Sequence, residues 1–142
     1  MEKIVSFESP MHHYAADACV VWCFDDRFSG LLAEFGKTMR NFDLVKIAGG
    51  AKSLANGASP ARDFARDQIK TSIRLHGTKK IVLMLHRDCG AYGGSKSFAD
   101  AAAELENMKS QLHAAAEYLK GEIPETPIEL YFADTDGLYV VA

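Results

Sequence analysis

Two short, unbroken apolar runs constrain this chain more than anything else in it: residues 18–22 (Ala-Cys-Val-Val-Trp) and residues 81–85 (Ile-Val-Leu-Met-Leu). A strand with one wet face alternates apolar and polar residues, whereas a strand with no polar position is buried on both faces. Strands of the second kind belong to parallel sheets covered by helices. Each run ends on a polar cluster, Cys23-Phe-Asp25-Asp26-Arg27 after the first and His86-Arg-Asp-Cys89-Gly90 after the second. Strand ends are where open α/β sheets place their binding sites.

The rest of the chain fits that frame. The first strand extends to residue 23. Residues 28–39 carry Leu31, Leu32, Phe35 and Met39 near helical spacing, and residues 42–48 read as a second strand. Residues 48–59 are rich in Gly, Ala, Asn and Ser and read as a long loop. Ser59-Pro60 is a helix start, with Ser as N-cap and Pro at the first helical position. That helix would turn Phe64, Ile69, Ile73 and Leu75 inward and stop near Gly77. Residues 97–120 predict a long Ala-rich helix with Leu105, Met108, Leu112 and Leu119 inside, ended by Gly121 and Pro124. Residues 128–133 form a fourth strand. Asp136-Gly137 is a turn signal before a fifth strand over 138–141, antiparallel at the edge. The alternation predicts a single α/β domain over 1–142 with a mostly parallel sheet, order 2-1-3-4 plus edge strand 5, flanked by helices. Residues 1–15 read as an arm.

Composition narrows the function classes. The net charge of −3 comes with no basic stretch, so neither nucleic acid nor a membrane surface is an expected partner. No apolar run approaches a membrane span, and residues 1–10 lack a signal-peptide core. Three cysteines argue against a disulfide framework and for a reducing, cytoplasmic location.

Cys23, His86 and Cys89 offer two thiols and one imidazole, a soft donor set that suits Zn²⁺. His86 and Cys89 are three apart, so one short loop supplies both. In a doubly wound sheet the first and third strands are neighbours, and the crevice at their ends is the switch point. Three protein ligands leave one tetrahedral position open, as a catalytic zinc requires. Cys19 sits about 13 Å along the strand from Cys23 and reads as core. Asp25 and Arg27, two apart, would share a face in extended structure, and an Asp–Arg pair lowers the Asp pKa and fixes its orientation.

Cys-x-Asp-x-Arg followed by His-x-x-Cys-Gly resembles the β-class carbonic anhydrase family, in particular a compact branch of it. The likeness runs in element order from Ala18 to about Val141, and its motif residues are Cys23, Asp25, Arg27, His86, Cys89 and Gly90. It implies one zinc per chain on Cys23, His86 and Cys89. It also implies a zinc-bound hydroxide that attacks CO₂ to give bicarbonate, and a gating dyad of Asp25 and Arg27. A homodimer or higher homo-oligomer with the site near the subunit interface is implied as well. The chain departs from the family pattern in four places. It is short at the N-terminus, has Asp26 where Ser is usual, and reads Lys46-Ile47-Ala48-Gly49 where Arg-Asn-Ala-Gly is typical. It also has no Gln before Cys23. These changes fall on the substrate side, so hydrolysis of another small linear molecule such as CS₂ or COS is an alternative. A non-catalytic zinc protein, with Asp25 closing the fourth position, is another.

Other features carry less chemistry. Ala48-Gly-Gly-Ala-Lys52-Ser53 faintly resembles a phosphate loop but lacks a Gly before the Lys, so a loop lining the cleft is expected. Gly90, Gly93 and Gly94 would let the backbone pass close to the metal. His12, His13, His76 and His113 lack ligand spacing, and His76 sits at a helix C-terminus, where a cation is favoured. Phe24 and Tyr92 either line the pocket or simply pack.

Overall fold

A computed structural model describes residues 1–142. The strands are β1 (Ala18–Cys23), β2 (Phe42–Ile47), β3 (Ile81–His86), β4 (Ile128–Asp134) and β5 (Gly137–Val140). The helices are α1 (Ser29–Gly36), α2 (Lys52–Ala55), α3 (Pro60–His76) and α4 (Ala101–Glu122). The sheet order is β2-β1-β3-β4-β5, parallel except for the β4–β5 hairpin, as the sequence predicts. No helix is long and apolar enough to cross a membrane.

Every residue of β1 and β3 is buried, which accounts for their unbroken apolar sequences. Alternate residues feed two cores. Cys19, Val21, Ile81, Leu83 and Leu85 pack with α2, α3 and α4 on one face. Ala18, Val20, Trp22, Val82 and Met84 pack with Phe28 and Leu32 on the other. Cys19 is wholly buried, as expected of a core thiol.

The helices correct four expectations. α1 is shorter than residues 28–39: it follows a 3₁₀ turn over Asp26–Phe28 and stops at Gly36. The Phe42 ring lies so close there that a Cβ on Gly36 would sit 2.8 Å from it. The long loop after β2 contains α2, anchored by buried Leu54. α3 is capped by Ser59 and ends on left-handed Gly77, and Ile69 and Ile73 pack on the core, all as expected, but the other buried positions are Ala65 and Ser72. Phe64 and Leu75 fall on its flanks and are about half exposed. α4 begins at Ala101 rather than at residue 97, because Ser95–Ser97 forms a separate 3₁₀ turn and Asp100 Oδ1 accepts the Ala103 N–H at 2.8 Å. On α4, Met108, Leu112 and Leu119 are buried as expected and Leu105 is half-buried.

The sheet opens where the chemistry sits. β1 and β3 pair only through Val21↔Leu83, whereas β3 and β4 stay paired to His86↔Ala133. Past Val21 the Met84 carbonyl accepts instead from Ala51 N–H at 3.3 Å. The loop after β2 therefore wedges between the ends of β1 and β3. Gly50 (φ +54°) makes this possible, since a Cβ there would lie 2.5 Å from the Met84 carbonyl oxygen.

Candidate metal centre

Cys23 ends β1, His86 ends β3, and Cys89 follows in the loop after β3. Their donor atoms lie within 4.8 Å of one another, and all three residues are buried. The His86 ring is oriented by two neighbours. Its Nδ1 lies 2.8 Å from the Arg87 carbonyl, which can only accept, so Nδ1 carries the proton. Phe28 packs on the ring at 4.4 Å between centroids. Nε2 is then unprotonated, its lone pair free toward the two sulfurs, buried and without any hydrogen-bond partner. A fully buried imidazole with an orphaned nitrogen between two thiols is costly unless something binds it. The donor set suits a soft-ligand metal ion, so the residues fit one.

The thiols share their protons unequally. Cys23 is pushed down chiefly by the hydrogen bond from Cys89, with help from backbone N–H groups; the Gly49 N–H lies 3.3 Å from its sulfur. Cys89 is pushed up by the Cys23 thiolate and by burial. The pair is ready to be one thiolate, and a metal ion would convert the second.

Asp25 and Arg27 meet as expected, though by a different geometry. They are not on an extended strand. Asp25 caps the 3₁₀ turn that contains Arg27, and Oδ1 accepts the Arg27 backbone N–H at 3.1 Å. The guanidinium returns to the same carboxylate, with Nη2–Oδ2 at 2.7 Å and Nε–Oδ1 at 3.0 Å. Arg27 holds the Asp25 carboxyl down at about 2.

A second network, not foreseen from the sequence, fixes the His86–Cys89 loop. Glu104 of α4 is 1% exposed and accepts from Asp88 N–H (2.7 Å), Ser95 Oγ–H (2.7 Å) and Arg87 Nη1 (3.0 Å). Arg87 also grips Asp134 at the end of β4, with Nη2–Oδ2 at 2.7 Å. The sequence did carry a signal: Glu104 stands four residues before Met108 on the buried stripe of α4. A charge on an apolar stripe needs a partner, and Arg87 lies inside the His86–Cys89 motif. Arg87 lowers the Asp134 pKa. A lowered folded-state value contributes stability above the unfolded value of about 4 and loses it as pH falls through the folded one. Asp134→Asn should therefore cost roughly 1–3 kcal/mol at neutral pH and progressively less below about pH 4. Urea unfolding at several pH values measures this, and a deficit that did not shrink in acid would contradict it.

Some of the remaining candidates have structural roles and others lie exposed. Lys52 donates to the Ala91 carbonyl and lies 4.6 Å over the Tyr92 ring, so it ties the cleft loop down rather than facing a phosphate. Gly93 and Gly94 adopt positive φ, whereas a Cβ on Gly90 would meet nothing within 4 Å, so only the first two are constrained by conformation. His76 Nδ1 pairs with Asp43 at 2.8 Å, far down the sheet from the site. His12 and His13 are exposed on the arm, and His113 is exposed on α4. Phe24 is 63% exposed, which decides against simple packing.

Fold and donor set define a parallel α/β protein with a buried Cys-His-Cys pocket at the switch point of its sheet. The family model described as "Putative carbonic anhydrase" matches residues 14–141, and the chain belongs to that family. An uncharacterised protein of Rickettsia conorii is 26% identical over 151 residues, covering 96% of this chain and 80% of that one. Among solved structures, a carbonic anhydrase from Streptococcus mutans superposes with a TM-score of 0.67 at 17% identity, covering 97% of this chain and 88% of that one. The apo form of a carbon disulfide hydrolase superposes with a TM-score of 0.60 at 15% identity, covering 91% and 80%. At these identities the two structures speak for the fold.

Proposed function

We propose that the protein is a zinc-dependent carbonic anhydrase, interconverting CO₂ and bicarbonate with one zinc per chain on Cys23, His86 and Cys89. The observation that carries this reading is the orphaned His86 Nε2 buried against two cysteine sulfurs, in a chain of this family. A zinc ion supplies Lewis acidity there, enough to ionise water near neutral pH. The chain's own residues do the rest. Arg87 and Glu104 hold the ligand loop. Phe28 and the Arg87 carbonyl fix the His86 ring and tautomer. Asp25, with both oxygens engaged by Arg27, is an acceptor that orients a proton-bearing reactant rather than a metal ligand. Asp25→Ala should lower kcat/KM for hydration about 10²-fold while zinc content stays the same. Stopped-flow hydration assays with metal analysis test this, and full activity would remove Asp25 from the mechanism.

A second reading keeps the site and changes the substrate to CS₂ or COS. It is favoured by Lys46, whose Nζ reaches Ser29 Oγ at 2.9 Å where the family usually has Arg, and by the exposed Asp26. The fold likeness to a carbon disulfide hydrolase supports it too. Sulfide release from CS₂ without CO₂ hydration would establish it. Exposed Phe24 beside Cys23 and the exposed apolar arm residues Ile4, Val5, Phe7 and Met11 support a homodimer or higher homo-oligomer. Three free cysteines suit the cytoplasm.

A further inference from the structure

Asp88 is the only non-glycine residue with positive φ, at +55°. That conformation is uncommon outside glycine and is held here by contacts on every polar group of the residue. Its N–H donates to Glu104 at 2.7 Å. Its Oδ1 accepts from Ser95 N–H at 2.8 Å, and a Cβ on Gly94 would approach the same oxygen to 2.9 Å. Its other two acceptors both go to Arg27: Oδ2 takes Nη1 at 2.8 Å, and the carbonyl takes Nη2 at 3.0 Å. Arg27 is thus clamped between two carboxylates, Asp25 on its own turn and Asp88 on the ligand loop.

A half-exposed ion pair by itself contributes little to stability. The left-handed backbone is harder to account for, because a strained conformation persists only where its surroundings over-determine it, and such residues cluster at functional sites. A long guanidinium held by Asp25 alone could swing into solvent and release the carboxylate. Held from both ends, it has one position, and Asp25 stays in the dyad.

We propose that Asp88 is a positioning residue for the dyad: it anchors Arg27 to the His86–Cys89 loop and so keeps the Asp25 carboxylate from taking the open position on the metal. This rests on the metal reading above, but not on CO₂ as the substrate.

The test uses the full chain loaded with Co²⁺, whose visible absorption reports coordination, and titrates it with thiocyanate at fixed pH. Asp88→Gly removes the carboxylate while suiting the backbone, and Asp88→Asn keeps one acceptor oxygen in case the glycine variant folds poorly. Asp88→Gly should retain one Co²⁺ per chain but bind thiocyanate about tenfold more weakly, with Asp88→Asn between it and the native protein. In an Asp25→Ala background the same Asp88→Gly change should leave thiocyanate affinity unaltered, because the competing carboxylate is gone. Native-like affinity in both single variants would overturn the inference. So would an equal loss with and without Asp25, which marks a merely structural role. A native chain that takes up no Co²⁺ overturns the metal reading and this inference together. Absence of CO₂ hydration with the thiocyanate pattern intact overturns only the substrate.

Discussion

Cys89→Ser should leave a folded protein that retains essentially no zinc after dialysis and hydrates no CO₂. Serine is nearly isosteric with cysteine, so the 3₁₀ turn over Gly90–Tyr92, whose first residue follows Cys89, has no reason to rearrange. What disappears is the sulfur that would bind zinc as a thiolate. Zinc is held through deprotonated sulfur, and a neutral hydroxyl is a poor substitute, so affinity should fall by well over ~100-fold, beyond the range seen for supporting residues. The apo protein should keep its fold, because the serine hydroxyl can donate to Cys23 as the Cys89 thiol does. Plasma-emission metal analysis beside circular dichroism separates the two effects. A variant with native zinc content would mean that Cys89 is not a ligand.

Gly50→Ala should be the most damaging change of a single methyl group in the chain. Two costs combine at this position. The backbone is left-handed at φ +54°, which disfavours any Cβ by about 1–2 kcal/mol. The methyl would also sit 2.5 Å from the Met84 carbonyl oxygen and 3.2 Å from Cys23 N, both backbone atoms of strands that cannot give way. Overpacking of this kind adds about 1–3 kcal/mol. A loss of about 3 kcal/mol should lower Tm by roughly 10 °C in a domain of this size. Because the same atoms frame the metal pocket, zinc affinity should fall too. Gly30→Ala is the control: it lies within α1 with nothing within 4 Å of the added methyl, and should be neutral or slightly stabilising. Equal thermal stability of the two variants would contradict this account of the wedge between β1 and β3.

Particular residues show why parts of this structure could be read from the sequence and others could not. The runs ending at Trp22 and Leu85 fixed the central strands, because only strands covered on both faces lack polar positions. The same runs point to the candidate ligands, since Cys23 and His86 are the next residues along. Asp25 and Arg27 were identifiable as a pair, yet their contact depends on a 3₁₀ turn, which spacing alone did not distinguish from extended chain. On α3, Ile69 and Ile73 face the core as their spacing predicts, but residue size is not burial: Ala65 and Ser72 fit against the sheet where Phe64 and Leu75 do not. Glu104 and Asp88 have no motif of their own to mark them, because their roles depend on side chains the fold brings close: Arg87 and Ser95 for Glu104, and Arg27 for Asp88. Gly50 could not be told from the neighbouring glycines without the position of the Met84 carbonyl.

The most direct test of zinc-dependent CO₂ hydration is stopped-flow hydration between pH 7 and 9, on the purified chain reconstituted with zinc and measured beside Cys89→Ser. The expected result is one zinc per chain and a hydration rate well above the buffer rate, both lost in the variant. One zinc per chain with no hydration at any of these pH values would contradict it.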